Sequence, residues 1–435
     1  MKTCFVSLYA YPLFNPALRA PFGGSEVRCW LLGVGLSKLP GEEVSFVVFD
    51  HGQPEVQQFG SVKVYRHSYY RSQPGESNAR ARLSGYLARS PRFPFVSIKR
   101  RDWAMLIDLP SALIDLLTEA CAERLSAKYG APLRVGSNSI RPDRTRIYQK
   151  IDADIYAGFG VSPLTAEMIA FCQRSGKKSV LFAGSDVDFM PMERATPDPL
   201  PPQGPRDDIR HHVLLRADLI LTQTDTQRRL LQERFGRKGV ILRNPIDLSQ
   251  IPSGDEVGSE REEIALWIGK SDRIKRPEIL LQLAAAFPDK QFVMVLNRSD
   301  PALFQAVVQN RPANVQILEW VSFQESERLF ARAFVLVNTS SFEGFPNTFL
   351  QAGKYGVPLL SLQVDPEGFI ERHTCGIVAQ GSFDRLVNGF HLICSDQDRR
   401  SLFARNVQEY VQRHHALEEK IAQLHHLLSD LRGDG

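Results

Sequence analysis

Cysteine is scarce and scattered in this chain: Cys4, Cys29, Cys121, Cys172, Cys375 and Cys394 are the only six in 435 residues. None forms a C-x-x-C pair, so neither a zinc site nor a disulfide framework is indicated, and reduced thiols in the cytoplasm are the simple reading. No run of 18 apolar residues occurs, so nothing is expected to span a membrane. The opening Met1-Lys2-Thr3-Cys4-Phe5-Val6-Ser7-Leu8 has an apolar run of strand length, and Pro12 and Asn15 interrupt the chain just beyond it. It reads as a first core strand rather than a signal peptide. Charge of one sign is also lacking: a formal net charge of +4 is too small to imply a nucleic-acid partner. There is no repeat of solenoid length and no low-complexity segment. No G-x-G-x-x-G follows a strand, which argues against a dinucleotide dehydrogenase.

What is present is an ordinary globular composition, 43% hydrophobic and 23% charged, at a length that suggests two or three domains. Two series of alternating strand and helix patterns run along the chain. The first has strands at 3–8, 44–50, 61–67, 153–159, 179–183, 219–223 and 240–243, with helical patterns at 25–38, 165–174 and 226–235. A polar, glycine-containing stretch from Pro252 to Glu260 comes next. The second series has strands at 264–268, 292–296, 315–318, 333–338, 358–362 and 376–378, with helices at 277–287 and 347–355 among them. Continuous apolar strands alternating with helices imply parallel sheets covered on both faces. The expected fold class is therefore α/β, two doubly wound Rossmann-like domains facing a cleft, spanning residues 1–250 and 262–410. Ligands of such sheets bind at the carboxyl ends of strands, which makes the cleft the expected site. The polar stretch from Gln408 through Leu428 reads as helical.

The most informative segment is Ser341-Phe342-Glu343-Gly344-Phe345-Pro346-Asn347-Thr348-Phe349-Leu350-Gln351-Ala352. It comes after the apolar strand Ala333–Asn338 and opens a helix. Gly344 permits a tight turn, and Pro346 suits a first helical position. The helix start offers free N–H groups and a positive dipole end, where an anion can sit. Glu343 stands just before that point. Gln351 lies five residues past the proline, about 7–8 Å along the axis. A phosphate at the tip would thus have a hydroxyl-binding group on each side. A second cluster, Trp267-Ile268-Gly269-Lys270-Ser271-Asp272-Arg273-Ile274-Lys275-Arg276, ends a strand with four cations within seven residues, enough to neutralise a diphosphate.

These segments resemble retaining glycosyltransferases of family 4, which have the GT-B fold. Glu343 and Gln351 fall on the E-x7-E signature with an amide in the second place. Lys270 and Lys275 fall on the G-R-L-x-x-x-K-G element, with lysine where the family usually has arginine. The run Pro21-Phe22-Gly23-Gly24-Ser25-Glu26 is similar to the G-G-x-E loop that faces the donor across the cleft, and Ser25 is a plausible N-cap there. The loop from Tyr9 to Phe22 is long enough to be functional. Ala183-Gly184-Ser185-Asp186 matches an H-G-S-D run without its histidine. Asp186 either orients the acceptor or sugar or, with Asp188, caps a turn. The triplet Asp186-Val187-Asp188 also reads as a D-x-D, but the two-sheet pattern argues against the fold that uses it, so no metal and no cofactor are expected. Leu242-Arg243-Asn244-Pro245-Ile246-Asp247 resembles the family's interdomain hinge. In the family a late helix often crosses back onto the first domain, and residues 411–435 either do so here or pack on their own domain. His51, after the second strand, reads as a structural histidine.

The resemblance implies a metal-independent, retaining hexosyltransferase that moves a sugar from a nucleotide-diphosphate sugar to an acceptor hydroxyl, in polysaccharide or glycolipid synthesis. It assigns Lys270, Lys275 and Glu343 as catalytic. Gly23, Gly24, Phe345, Asn347, Thr348 and Gln351 become donor-binding, and Asp186 is on the acceptor side. A non-catalytic nucleotide-sugar-binding subunit and a nucleotide-sugar epimerase remain alternatives. Between Arg66 and Arg101, nine Lys or Arg residues stand against one acid, Glu76, with Tyr69, Tyr70, Tyr86, Phe93 and Phe95 among them and an apolar helical pattern at 104–122 behind. Residues 66–122 can dock on anionic lipid at the inner membrane face, which suits a glycan or lipid-linked acceptor. An exposed insertion with a core-packed helix fits the same pattern.

Overall fold

A computed structural model of the chain describes residues 1–71, 142–190, 207–249 and 264–433. Two sheets organise it. The first contains β1 (Lys2–Val6), β2 (Glu43–Asp50), β3 (Val56–Phe59), β4 (Val62–Arg71), β5 (Ile155–Phe159), β6 (Lys178–Phe182), β7 (Leu219–Thr222) and β8 (Val240–Ile241), in the order β3-β4-β2-β1-β5-β6-β7-β8. All pairs are parallel except β3 with β4, a hairpin on the edge that the sequence pattern did not announce. The second contains β9 (Ile264–Lys270), β10 (Gln291–Asn297), β11 (Val315–Leu318), β12 (Ala333–Asn338), β13 (Leu359–Ser361) and β14 (Gly376–Val378), ordered β11-β10-β9-β12-β13-β14 and wholly parallel.

Each sheet carries an apolar layer on both faces. Phe5, Phe46 and Phe182 pack on one side of the first sheet, and Tyr156, Leu181 and Ile220 on the other. In the second, Leu266, Leu336 and Phe349 oppose Ala265, Val335 and Phe390. All six residues of β12 are buried, which explains its unbroken apolar run. Strand order reverses between β1 and β5 and again between β9 and β12. Crevices at such switch points receive ligands, so the chain just after β1, β9 and β12 is where a site belongs.

The polar C-terminal stretch is two helices, Gln397–His415 and Leu417–Arg432, not one. The break falls at Ala416, whose extended backbone pairs with Ile246, with Ile246 N–H donating to His415 O and Leu417 N–H to Ile246 O. The second helix then packs on the first sheet's lobe. Ile421 fills the space above Gly35, where an added Cβ would come within 2.0 Å of it. His425 reaches Glu42, and Gln423 donates to Ile241 O. The stretch read as one loop from Tyr9 to Phe22 also contains a short helix, Tyr11–Phe14, seated on Phe46 and Phe59 through Tyr11 and Phe14. Of the segment 66–122, expected to dock on lipid, residues 72–122 lie outside the described ones. Among the described residues no helix is long and apolar enough to cross a membrane.

Candidate functional site at the seam of the two lobes

Lys275 and Glu343, 68 residues apart, meet because the chain after β9 and the chain after β12 leave the same edge of the second sheet. Lys275 Nζ lies 2.6 Å from Glu343 Oε1. Ser340 Oγ and Asn338 Nδ2 donate to the same oxygen at 2.7 and 3.2 Å. Glu343 Oε2 accepts nothing from the described residues. Lys275 is held at its backbone as well, with its N–H donating to Asp272 Oδ1 and its carbonyl accepting from Thr339 Oγ1, which in turn accepts from Trp267 Nε1. Arg276 comes next with φ of +49°, a left-handed conformation costly for a side-chain-bearing residue, more so before Pro277. The strain sits beside the lysine that the rest of the loop over-determines. Lys270, at the end of β9, is exposed, and its ammonium makes no hydrogen bond or ion pair with the described residues.

The helix after Glu343 runs from Asn347 to Lys354, with Pro346 as its N-cap rather than its first residue. No loop hydrogen bond uses the Asn347 or Thr348 N–H, and neither has an intrahelical acceptor by position. Thr348 is half-buried and makes no side-chain hydrogen bond with the described residues. The tip faces the first lobe directly. Asn347 Nδ2 donates to Gly24 O at 2.6 Å, and Asn347 Oδ1 accepts from Asn244 Nδ2 at 2.9 Å. A Cβ on Gly344 would stand 3.1 Å from Gln227 Nε2 and 3.3 Å from Ser185 Cα, so a side chain there would press the first lobe away by a few tenths of an ångström.

Phe345 is placed differently from its expected donor-binding role. Its ring is buried between Phe369 and His415, its N–H donates to Gln223 Oε1, and its carbonyl accepts from Asn244. These contacts join the two lobes. Ser25 is likewise inside the helix Gly24–Leu36, while Gly23 is the N-cap and gives its N–H to Glu26 Oε2. Gln351 turns its Nε2 to Glu327 Oε1 at 3.2 Å.

Of the paired acids, Asp188 caps a turn: its carboxylate accepts from the N–H groups of Val161, Gly184 and Ser185. Burial pushes its carboxyl up, against those hydrogen bonds. Asp186 takes no part in that cap. Its Oδ1 is buried with no well-aligned partner among the described residues. Burial raises its carboxyl, with Asp188 and Glu367 pushing the same way and nearby Gln227 opposing. It stands where Ser185 meets Gly344, at the seam. Among the described residues no three His, Cys, Asp or Glu cluster as metal ligands.

Three residues that the sequence left without a role, Gln223, Glu367 and His415, complete the seam, and a fourth, Arg28, supports it from within the first lobe. Gln223 donates to Ala183 O and Gly184 O while accepting from Phe345. Glu367 of the second lobe accepts from Asp225 N–H at one oxygen and Arg243 Nη1 at the other, both at the first lobe's border. Buried His415 donates Nδ1–H to Asn244 O, and burial holds its pKa down to about 3, so it is neutral at pH 7. Arg28 is buried and gives Nη1 and Nη2 to Ala183 O and Leu242 O. His51 stacks on Tyr11 and has a lowered pKa, principally from burial.

The two facing α/β lobes are those of the GT-B fold. Residues 262–396 match the family model described as Glycosyl transferases group 1. No curated protein matches the chain. Among solved structures, sucrose-phosphate synthase from Thermosynechococcus elongatus is similar over 100% of both chains at 16% identity and a TM-score of 0.67. Anabaena HepE, solved with UDP and glucose, is similar over 99% of this chain and 100% of its own, at 13% identity and a TM-score of 0.66. WaaG, a glycosyltransferase involved in lipopolysaccharide biosynthesis, is similar over 97% of this chain and 99% of its own, at 16% identity and a TM-score of 0.58.

Proposed function

We propose that the chain transfers a hexose from a nucleoside-diphosphate sugar to the hydroxyl of a glycan or lipid-linked acceptor, with retained configuration and without a metal ion. The observation that carries this reading is the convergence of Lys275, Glu343 and the open start of the Asn347 helix at one strand edge, against Gly24 and Ser185 of the other lobe. The family-model match over the same lobe supports it.

In this reading the diphosphate lies at the helix start, and Lys275, Lys270 and the Asn347 and Thr348 N–H groups take up the charge that grows as the anomeric carbon–oxygen bond breaks. One such preorganised donor is worth about 3 kcal/mol, or roughly 10²-fold in rate. Glu343 Oε2 meets sugar hydroxyls and Gln351 the ribose. The new bond to the acceptor oxygen forms on the face the diphosphate leaves, and the acceptor proton passes to the leaving phosphate oxygen. No histidine is then required at Ala183.

Incubating the protein with UDP-glucose, UDP-N-acetylglucosamine, GDP-mannose and ADP-glucose is expected to release nucleoside diphosphate, increasingly so with a hydroxyl acceptor, and NMR should find the donor's anomeric configuration in the product. Binding without release with any acceptor would support a non-catalytic subunit, and an inverted sugar centre on an intact donor would support an epimerase.

A further inference from the structure

We infer that Glu327 is a positioning residue that holds the Gln351 carboxamide with its nitrogen inward and its oxygen outward, so that Gln351 acts purely as an acceptor toward a ribose hydroxyl. The inference rests on the donor reading above and adds a residue from a different helix to it.

Glu327 lies on the helix Phe323–Arg332, which precedes β12. One of its carboxylate oxygens accepts from Gln351 Nε2 at 3.2 Å. The other is pinned by Lys354 Nζ and by Tyr355 Oη at 2.9 Å. Lys354 is nearly buried, so this carboxylate is fixed from behind. Burial, then the Glu327 charge, pushes the Tyr355 hydroxyl up, which keeps it a donor.

Beside Glu327, Ser326 spends its proton on Phe323 O at 2.7 Å and so presents only lone pairs to Gln351, at 3.4 Å. Two acceptor-only neighbours leave one amide orientation satisfied. The flipped amide would set oxygen against oxygen. Gln351 Oε1 consequently faces away from Glu327, accepts nothing from the described residues and is not among the buried polar atoms.

The same geometry explains the amide at 351. A carboxylate there would meet Glu327 at the distance now spanned by a hydrogen bond, and two like charges so close repel. The amide at 351 and the acid at 327 are a matched pair, with the negative charge kept one helix away from the ligand and neutralised by Lys354.

The test compares binding of UDP, GDP and ADP with their 2′,3′-dideoxy counterparts by titration calorimetry, using the full chain. Wild type is expected to prefer the ribonucleotide by about 10-fold, the worth of one directed hydrogen bond. Glu327→Gln should collapse that preference to about 2-fold or less while leaving dideoxy affinity unchanged. Gln351→Glu, which keeps the Glu327–Lys354 pair, should also weaken ribonucleotide binding selectively. The double variant Glu327→Gln/Gln351→Glu should recover the preference. Undiminished preference in both single variants, or an equal loss for both nucleotides as a merely structural role would give, overturns the inference. Wild-type binding without ribose preference overturns it while sparing the donor reading. Absence of any nucleotide binding overturns both.

Discussion

Lys275→Ala is expected to lower donor turnover by at least about 10²-fold in a protein whose thermal unfolding stays cooperative and near the wild-type midpoint. The ammonium sits 2.6 Å from Glu343 Oε1, and its backbone is tied to Asp272 and Thr339, so its position costs nothing to organise when the reaction begins. Its charge is partly matched by Glu343 in the resting protein. As the diphosphate leaves, new negative charge develops beside it, and a fixed cation stabilises that state more than the ground state. Removal should therefore appear in kcat more than in KM. Glu343 would keep its bonds from Asn338 and Ser340, so the fold has no reason to fail. The assay is steady-state release of nucleoside diphosphate from the best donor. A folded variant with near-normal turnover would remove Lys275 from the chemistry.

The second large effect is expected at Asn244. Gly24 O can only accept, which fixes Asn347 Nδ2 toward it and turns Asn347 Oδ1 toward Asn244. Asn244 Nδ2, with two hydrogens, lies 2.9, 3.1 and 3.2 Å from Asn347 Oδ1, Phe345 O and Gln223 Oε1, so one hydrogen is shared between two acceptors, in a position only 4% exposed. Asn244→Asp changes almost no volume but points a carboxylate at three oxygen acceptors. An uncompensated buried charge of this kind costs on the order of 3–5 kcal/mol. Asn244→Ala removes the bonds without the repulsion and should cost less, about 1–3 kcal/mol. Thermal unfolding should rank wild type above alanine above aspartate. Small-angle scattering should show the aspartate variant expanded if the lobes part at this seam. An aspartate variant as stable and as compact as wild type would mean that the seam does not depend on Asn244.

These two sites differ in how far the sequence disclosed them. The strand at 333–338 and the turn at Gly344 are written in local pattern: an unbroken apolar run, then glycine and proline before a helix. Lys275 and Glu343 sit at ends of strands that such runs locate, so their shared sheet edge comes from strand order. The interlobe polar network does not. Asn347 and Gly24 are 323 residues apart and meet through an amide and a carbonyl, a pairing that leaves no trace in periodicity. The sequence placed Asn244 in an expected hinge and gave no sign of the acceptors around its amide. Glu327 was invisible because its partners, Gln351, Lys354 and Tyr355, are brought to it by helix packing. The break at Ala416 was missed for a similar reason: a polar helical pattern runs through it, and only the bridge to Ile246 interrupts the helix.

A diphosphate bound at the start of the Asn347 helix, beside Lys275, is the central claim. Crystals of the protein soaked with UDP, GDP or ADP measure this directly. Density for the two phosphates is expected within hydrogen-bond reach of Lys275 Nζ and the Asn347 and Thr348 N–H groups, with the first lobe's Gly23–Gly24 turn facing them. Phosphates found elsewhere on the molecule, or that tip still empty at saturating nucleotide, would contradict it.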